Sequence, residues 1–418
     1  MIRDAHGRKM SKSLGNVVDP IEVICGITLE GLHKRLGEGN LDPNELKVAT
    51  EGQKKDFPNG IPECGADALR FALVSYTAQS DKINLDIQRV VGYRQWCNKL
   101  WNAVRFAMTK LGDNYTPPSK IDPNNMPFSC QWILSVLNKA TSKTISSLDS
   151  YEFSDASTAV YSWWQFQLCD IFIEVIKPYF FGDDAASKAH AQDTLWVCLD
   201  TGLRLLHPFM PFVTEELWQR LPSPKHCERE KSIMICEYPS VVESWSNEKM
   251  EYEMEVVESA VKSLRSIRAN MPAQERNERR AGFAVSRNAQ TTDLLRRHEK
   301  EVSTLANLSS FTVLSENDAA PAGCAVSVVN QSLCVYLKLQ GAIDVKKERE
   351  KLNTKLTDLQ KQRDSLNKAM SAKGYEEKVP EHIKEENMAK LTMLMQQLLS
   401  CEEATQHFER EVAVRAEI

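Results

Sequence analysis

The tightest constraint on the fold is a heptad rhythm near the end of the chain. Val345, Leu352, Leu356, Leu359, Leu366 and Met370 fall on alternating four- and three-residue steps, with Arg349 and Arg363 filling the two gaps. Such spacing gives a helix one apolar seam, which must be buried against another helix. The stretch AKGYEEKVPEHI breaks the rhythm, and Leu391, Leu394, Leu398, Cys401 and Phe408 resume it. Two such seams on one chain meet only if the chain folds back, so residues 341–410 are predicted to form an antiparallel coiled-coil hairpin. Charged Arg349 and Arg363 at seam positions weaken a long homodimer, because burying them is costly.

The rest of the 418 residues divides by pattern, with room for two to four domains. Residues 1–60 are rich in Gly and Pro and read mostly as loops, with a short helix in IEVICGITLEGL interrupted at Gly26. Helical spacing starts at Ala66, Leu69, Leu73 and Tyr76. It continues with Trp96, Leu100, Val104 and Met108, and Gly112 is a stop. Residues 113–129 read as a linker. Residues 130–221 read as a helix bundle, with helices starting near Gln131, Ser154 and Ala189, and Ser154 and Thr214 as N-caps. Pro178 closes the helix that Ser154 opens. After a loop and a helix over 247–268 come four strand-like runs, AGFAVS, FTVLS, AVSVV and LCVYLKL, with a helix around 290–307 between the first two. That is a small α/β module.

The net charge of −5 excludes a polycation, so any nucleic-acid surface must be a local basic patch. Eleven cysteines without a C-x-x-C pair argue for a reducing compartment and against a disulfide framework or zinc ribbon. The opening MIRDAHGRKM lacks the apolar core of a secretory signal, and no uninterrupted apolar run is long enough to span a bilayer. No membrane association is expected.

The stretch HGRKMSKSLGN, residues 6–16, carries the chemistry. Lys9 and Lys12 lie in a loop with Ser11 and Ser13, bounded by Gly7 and Gly15 that let it move. Lysine is a compact charge on a flexible stem, suited to neutralising phosphate oxygens, and the hydroxyls add hydrogen bonds. A loop of this kind can close over a triphosphate and stabilise charge that builds on the leaving pyrophosphate. An isolated K-x-x-K pair is more simply a solvated loop, but the whole string is far more restrictive.

Lys9-Met10-Ser11-Lys12-Ser13 resembles the signature loop of class I aminoacyl-tRNA synthetases, and KMSKSLGNVVDP the form in the branch for valine, isoleucine and leucine. GITLEGL, GNLDP, DFPNGIPECGADALRFAL, NLD at 84–86 and NKLWNAVRF at 98–106 are similar to the valyl family within it. HPFMPFVTEELWQRLP is shared across the branch. The tail resembles the tRNA-binding arm of the valyl family, and the zinc-binding cysteine cluster expected of an isoleucyl enzyme is absent from the sequence. The resemblance implies ligation of valine to its tRNA, with ATP as substrate accompanied by Mg2+ and valyl-adenylate as intermediate. Lys12 would contact ATP and Lys9 would support it, with no metal site in this chain. The H-x-G-H segment of the family is not formed by any of the eight histidines. The valine pocket and editing domain should also precede the loop. The chain is therefore expected to be the C-terminal part of such an enzyme, with Met1 at an internal position, and to be inactive alone.

The implied fold is mainly α. Residues 1–112 would hold the end of a Rossmann-type catalytic domain with stem-contact helices. Residues 126–280 would be a helical anticodon-binding domain, 281–340 the α/β module and 341–410 the tRNA-binding arm. Candidate tRNA contacts are Lys99 and Trp101, beside Asn98 and Asn102, and Lys347, Lys351, Lys355 and Arg363 in the tail. On burial statistics Trp101 reads first as a core aromatic, and Trp163, Trp164 and Phe166 read as core rather than base-stacking residues. Asp170, Glu174 and Lys177 read as intrahelical pairs. The basic stretch at 263–280 reads as solvated surface. The partner expected is valine tRNA, the state monomeric and the location cytoplasmic, with organellar targeting undecided. A stand-alone tRNA-binding protein or a coiled-coil assembly factor are the alternatives.

Overall fold

The computed structural model describes residues 2–77, 82–224, 229–315, 318, 323–339, 345–371, 375 and 379–416. Helices dominate, and two compact units divide the chain, Met1–Glu251 and Tyr252–Ile418.

In the first unit β1 (Ile2–Arg3) pairs in parallel with β2 (Ile83–Asn84). Between them lie α1 (Pro20–Cys25), α2 (Leu29–Gly37), α3 (Pro43–Asp56) and α4 (Ala66–Ser75). The reading of residues 1–60 as mostly loops is corrected here, because three helices occupy it. Asp19, Thr28 and Asp42 cap their N-termini through side-chain oxygens, and Pro20 and Pro43 start helices rather than break them.

The long α5 (Ile87–Leu111) buries Trp96, Leu100 and Val104 and ends at Gly112, as the spacing predicts. Residues 113–129 are no free linker. The Tyr115 hydroxyl donates to Asp193 at 2.8 Å, and Ile121 and Met126 are buried. Burial, the Asp193 charge and this hydrogen bond push the Tyr115 hydroxyl above its ordinary range.

The bundle continues with α6 (Phe128–Asp149) and α7 (Phe153–Ser162). A π-helical stretch, Trp163–Phe172, follows, then a last turn, α8 (Ile173–Val175). Trp163 and Trp164 are fully buried, ring centroids 5.5 Å apart, and Trp164 Nε1 donates to the Gly202 carbonyl at 3.1 Å. Gly202 lies in α9 (Ala185–Leu206), where a Cβ would stand 2.6 Å from the Trp163 ring. A glycine is therefore what lets two indoles pack against this helix. Phe166, read as core, is exposed instead. The stretched helix turns it away from the face that Trp163 and Trp164 bury.

Two expected caps are overturned. Ser154 lies inside α7 and donates to the Ser75 carbonyl at 3.1 Å. Thr214 lies buried inside α10 (Pro211–Trp218) and donates back to the Met210 carbonyl at 2.7 Å. The capping oxygens of α10 come from Asp67 in α4, which accepts from Phe212 N at 3.3 Å and Val213 N at 2.6 Å. A carboxylate 145 residues away thus satisfies amides that the local sequence leaves open.

In the second unit α11 (Glu248–Ala269) completes a helix begun just before the boundary. Strands β3 (Ala281–Ser286), β4 (Ser310–Leu314), β5 (Cys324–Val328) and β6 (Leu333–Lys338) form one sheet in the order β4-β3-β6-β5. β3 and β4 are parallel, joined across α12 (Ala289–Arg297) and α13 (Glu299–Leu305), while β6 is antiparallel to both neighbours. Two helices thus replace the single one expected there. Leu333, Val335 and Leu337 alternate into the core, and small Gly282 and Ala284 face inward beside them. The basic stretch before β3 is largely spoken for. Arg265 and Arg268 donate to the Leu305 and Asn307 carbonyls, and Arg280 is buried against Glu275 and Glu278.

The tail forms α14 (Val345–Met370) and α15 (Glu381–Ala416), two helices packed on each other. Leu394, Leu398 and Cys401 are buried, the same positions that the heptad reading assigns to the seam.

The Asp67 contact is testable by thermal unfolding. Asp67→Ala should lower stability by about 1–2 kcal/mol, while Thr214→Ser, which keeps the hydroxyl, should cost less. Equal stability of Asp67→Ala and the parent would remove the capping role.

Candidate functional site

The Lys9–Ser13 loop is built on a buried polar frame. Asp4 and Asn16, both almost fully buried, stand at its two ends. Asp4 Oδ1 accepts from His6 N at 3.0 Å and Arg8 N at 2.8 Å, and Oδ2 accepts from Arg8 Nε at 2.6 Å and Asn16 Nδ2 at 2.9 Å. The Asn16 amide spans the loop. Its oxygen accepts from Ser11 N at 2.9 Å, and its nitrogen also reaches the Lys9 carbonyl at 3.2 Å. Arg8 ties the assembly to α3 through Asp56 at 2.7 Å. Burial pushes the Asp4 carboxyl up, but the bonds from Asn16 and Arg8 outweigh it and hold the group below its ordinary value.

Inside this frame the residues sort by direction. Met10 packs against the core formed by Val23, Leu69, Leu85 and their neighbours. The Ser11 and Ser13 hydroxyls lie 3.3 Å apart. Lys12 begins a single 3-10 turn, Lys12–Leu14, closed by Gly15 with φ of 66°. Lys9 and Lys12 are exposed, and neither has an ion pair among the described residues. The loop therefore offers two unneutralised ammonium groups on a backbone whose base is fixed.

Gly15 corrects the expectation that both bounding glycines loosen the loop. It is buried, and a Cβ there would stand 2.2 Å from the Ala49 carbonyl oxygen. It seats the loop on α3. Gly52 does the same from the other side, since its Cβ would meet the Leu14 carbonyl at 2.6 Å.

Within the first unit, the candidates Lys99 and Trp101 lie on α5 and not on this loop. Lys99 donates to Asp170 at 2.7 Å and approaches the Gln165 carbonyl, in the π-helical stretch, at 3.4 Å. Asp170 therefore pairs across to α5 and not within its own helix, whereas Lys177 and Glu174 do form the expected intrahelical pair at 2.7 Å. Trp101 is 37% exposed with the Arg220 guanidinium 5.0 Å from its ring, so the core reading of it is overturned. Arg363 bonds its neighbour Asp364 at 2.7 Å. Lys347, Lys351 and Lys355 are on α14, but their side chains lie outside the described residues, as do those of Val345, Arg349, Leu352 and Phe408.

Sequence reasoning missed Asp4, Asn16 and Asp56. The last lies 48 residues from Arg8, and no local pattern marks it.

Two outcomes are expected for the frame. Asn16→Ala should destabilise by about 1–3 kcal/mol, since it leaves Ser11 N and Asp4 short of partners. Asp4, held low, contributes full stability above the ordinary carboxylate pKa of about 4 and loses it as pH falls through its depressed value. Amide exchange at Arg8 and Ser11, corrected for intrinsic rate, should keep its protection down to that range and lose it below. Protection unchanged at acid pH would mean that Asp4 does not hold the loop.

Three family models match the sequence. They are "tRNA synthetases class I (I, L, M and V)" over residues 1–86, "Anticodon-binding domain of tRNA ligase" over 130–281 and "Valyl tRNA synthetase tRNA binding arm" over 344–408. The mitochondrial valine–tRNA ligase 1 of Arabidopsis thaliana is 65% identical over 401 residues, 95% of this chain and 36% of that protein. The valine–tRNA ligase of Takifugu rubripes is 41% identical over 98% of this chain and 34% of its own length, and that of Homo sapiens 42% over 98% and 32%. The chain spans about a third of the length of these relatives. With the signature loop on its frame and these relatives on record, the chain belongs to the valine–tRNA ligase family of class I aminoacyl-tRNA synthetases.

Proposed function

We propose that this chain supplies the phosphate-contacting loop and the tRNA-reading part of an enzyme that joins valine to its tRNA. The observation that carries the reading is the exposed Lys12, which has no ion pair among the described residues, on a loop fixed at its base by Asn16 and Asp4. In the reaction, the valine carboxylate attacks the α-phosphate of ATP, pyrophosphate leaves, and the valyl group then passes from AMP to the 3′ end of the tRNA. Lys12 contacts the phosphates and Lys9 supports it. Their charge meets the charge that develops on the pyrophosphate, which is where electrostatic stabilisation accelerates phosphoryl chemistry. Among the described residues no three His, Cys, Asp or Glu side chains form a metal set. The Mg2+ expected with ATP would be held by the nucleotide's own phosphates and water, as is common for that ion.

The working division is a catalytic-domain end over 1–112, an anticodon-binding region over 126–280, the α/β module over 281–340 and a tRNA-binding coiled-coil arm over 341–410. Lys99, Trp101, Lys347, Lys351, Lys355 and Arg363 are assigned to tRNA. Of these, Lys99 must exchange Asp170 for a phosphate, so its role depends on opening that pair. The protein acts as a monomer in the cytosol. The mitochondrial name of the Arabidopsis thaliana relative favours an organelle as the second reading. No helix among the described residues is long and apolar enough to cross a membrane.

Valine-dependent ATP–pyrophosphate exchange tests the reading. The 418-residue chain alone should give none, whereas Lys12→Ala in a protein of the relatives' full length should lower the exchange rate by about 100- to 1,000-fold. Exchange by the isolated chain, or an unaffected Lys12→Ala protein, would overturn it.

A further inference from the structure

A cleft on one side of the signature loop is not absorbed by the reaction proposed above. Its volume is about 290 Å³, at the lower end of the range for small-ligand sites. Val17, Leu32, Leu36 and Leu41 give it an apolar lining. Lys12 comes to it from the loop, Asp19 and Glu22 from the start of α1, Arg35 from α2 and Gln53 from α3.

The polar groups of this cleft are not satisfied by one another. Arg35 Nη1 donates to Asp19 Oδ2 at 3.1 Å and to Glu22 Oε1 at 2.9 Å. One guanidinium thus serves two carboxylates and leaves an excess negative charge. Asp19 spends its other oxygen on the Ile21 amide at 2.8 Å. Glu22 is 7% exposed, and among the described residues nothing donates to its second oxygen. Gln53 is 5% exposed, and its Oε1 accepts no hydrogen bond. Buried acceptors ordinarily find donors, so two open acceptors lining one cleft point to a ligand that donates. An ammonium carries three donors and the charge that Glu22 lacks. Lys12 presents the opposite demand, because its ammonium is exposed and has no ion pair among the described residues. It suits an anionic group on the same ligand. The leucines ask for a short aliphatic body.

We propose that this cleft binds an aliphatic α-amino acid. Its ammonium meets Glu22 and Gln53, its carboxylate meets Lys12, and its side chain lies among Leu32, Leu36 and Leu41. The site is separate from the valine pocket of the proposed reaction, which is expected outside this chain.

Calorimetric titration of the 418-residue chain with L-leucine tests the site. Leucine should bind saturably, one molecule per chain. Isocaproate, which lacks the ammonium, and leucinamide, which lacks the carboxylate, should each bind at least about 10-fold more weakly. Gln53→Met keeps the length of the side chain and removes the acceptor, and it should weaken leucine by about 10-fold. Lys12→Ala should weaken leucine and leave leucinamide unchanged, a selectivity that a merely structural role would not give. Both variants should unfold at the parent temperature, which separates binding from packing. No saturable binding by the parent at millimolar leucine would overturn the site. Equal affinity of the parent for leucine and leucinamide, or leucine binding by Gln53→Met within twofold of the parent, would overturn it as well. The absence of valine-dependent exchange by the same chain tests the proposed reaction independently of these results.

Discussion

The contact between the buried Asp4 carboxylate and the Asn16 amide fixes the base of the Lys9–Ser13 loop. Burying a carboxylate is costly unless its oxygens are fully used. Here Asn16, Arg8 and two backbone amides use them, and the same Asn16 amide then reaches across to Ser11 and Lys9. The polar frame lets the ends of the loop be rigid while the lysines between them stay in water. Gly15 and Gly52 complete the arrangement by allowing backbone contact with α3, closer than any Cβ would permit.

The same economy recurs away from the loop. Asp67 closes α10 from another helix, and Gln192 in α9 donates to the Lys110 and Leu111 carbonyls where α5 ends. Helix termini leave backbone groups without partners, and in this bundle side chains distant in sequence supply them. The helices are thereby fixed relative to their neighbours within the unit as well as capped. The π-helical stretch fits this picture. Its wider turns keep Trp163 and Trp164 in the core and turn Phe166 outward, and Lys99 reaches the Gln165 carbonyl from α5.

Buried positions in the second unit follow simpler rules. Strand alternation sends Leu333, Val335 and Leu337 inward, and the parallel β3–β4 pair is joined by helices, as parallel pairing demands. One polar knot interrupts it. Glu253 on α11 accepts from Arg297 at 3.0 Å and meets His298 Nε2 at 2.9 Å, which ties the helix to the α12–α13 junction. Burial raises the Glu253 carboxyl, and His298 and Arg297 outweigh it to hold the group low.

Periodicity and motif carried much of this molecule unaided. The heptad spacing located α14 and α15 and chose Leu394, Leu398 and Cys401 for burial, the alternating runs located four strands, and Lys9 to Ser13 located the loop. Such signals are local, because a repeat of side chains along one segment already dictates which face must leave water. What the sequence left open was decided by contacts across long separations. Residues 1–60 looked like loops because Gly and Pro were read as breaks. Pro20 and Pro43 instead start helices, Gly15 and Gly52 permit backbone packing, and Asp4 and Asn16 hold the loop from either end. Whether Trp101 is core or surface, and whether Asp170 pairs along its helix or across to Lys99, depends on which elements are neighbours in space. A one-dimensional pattern does not specify those neighbours, so only the tertiary structure decided them.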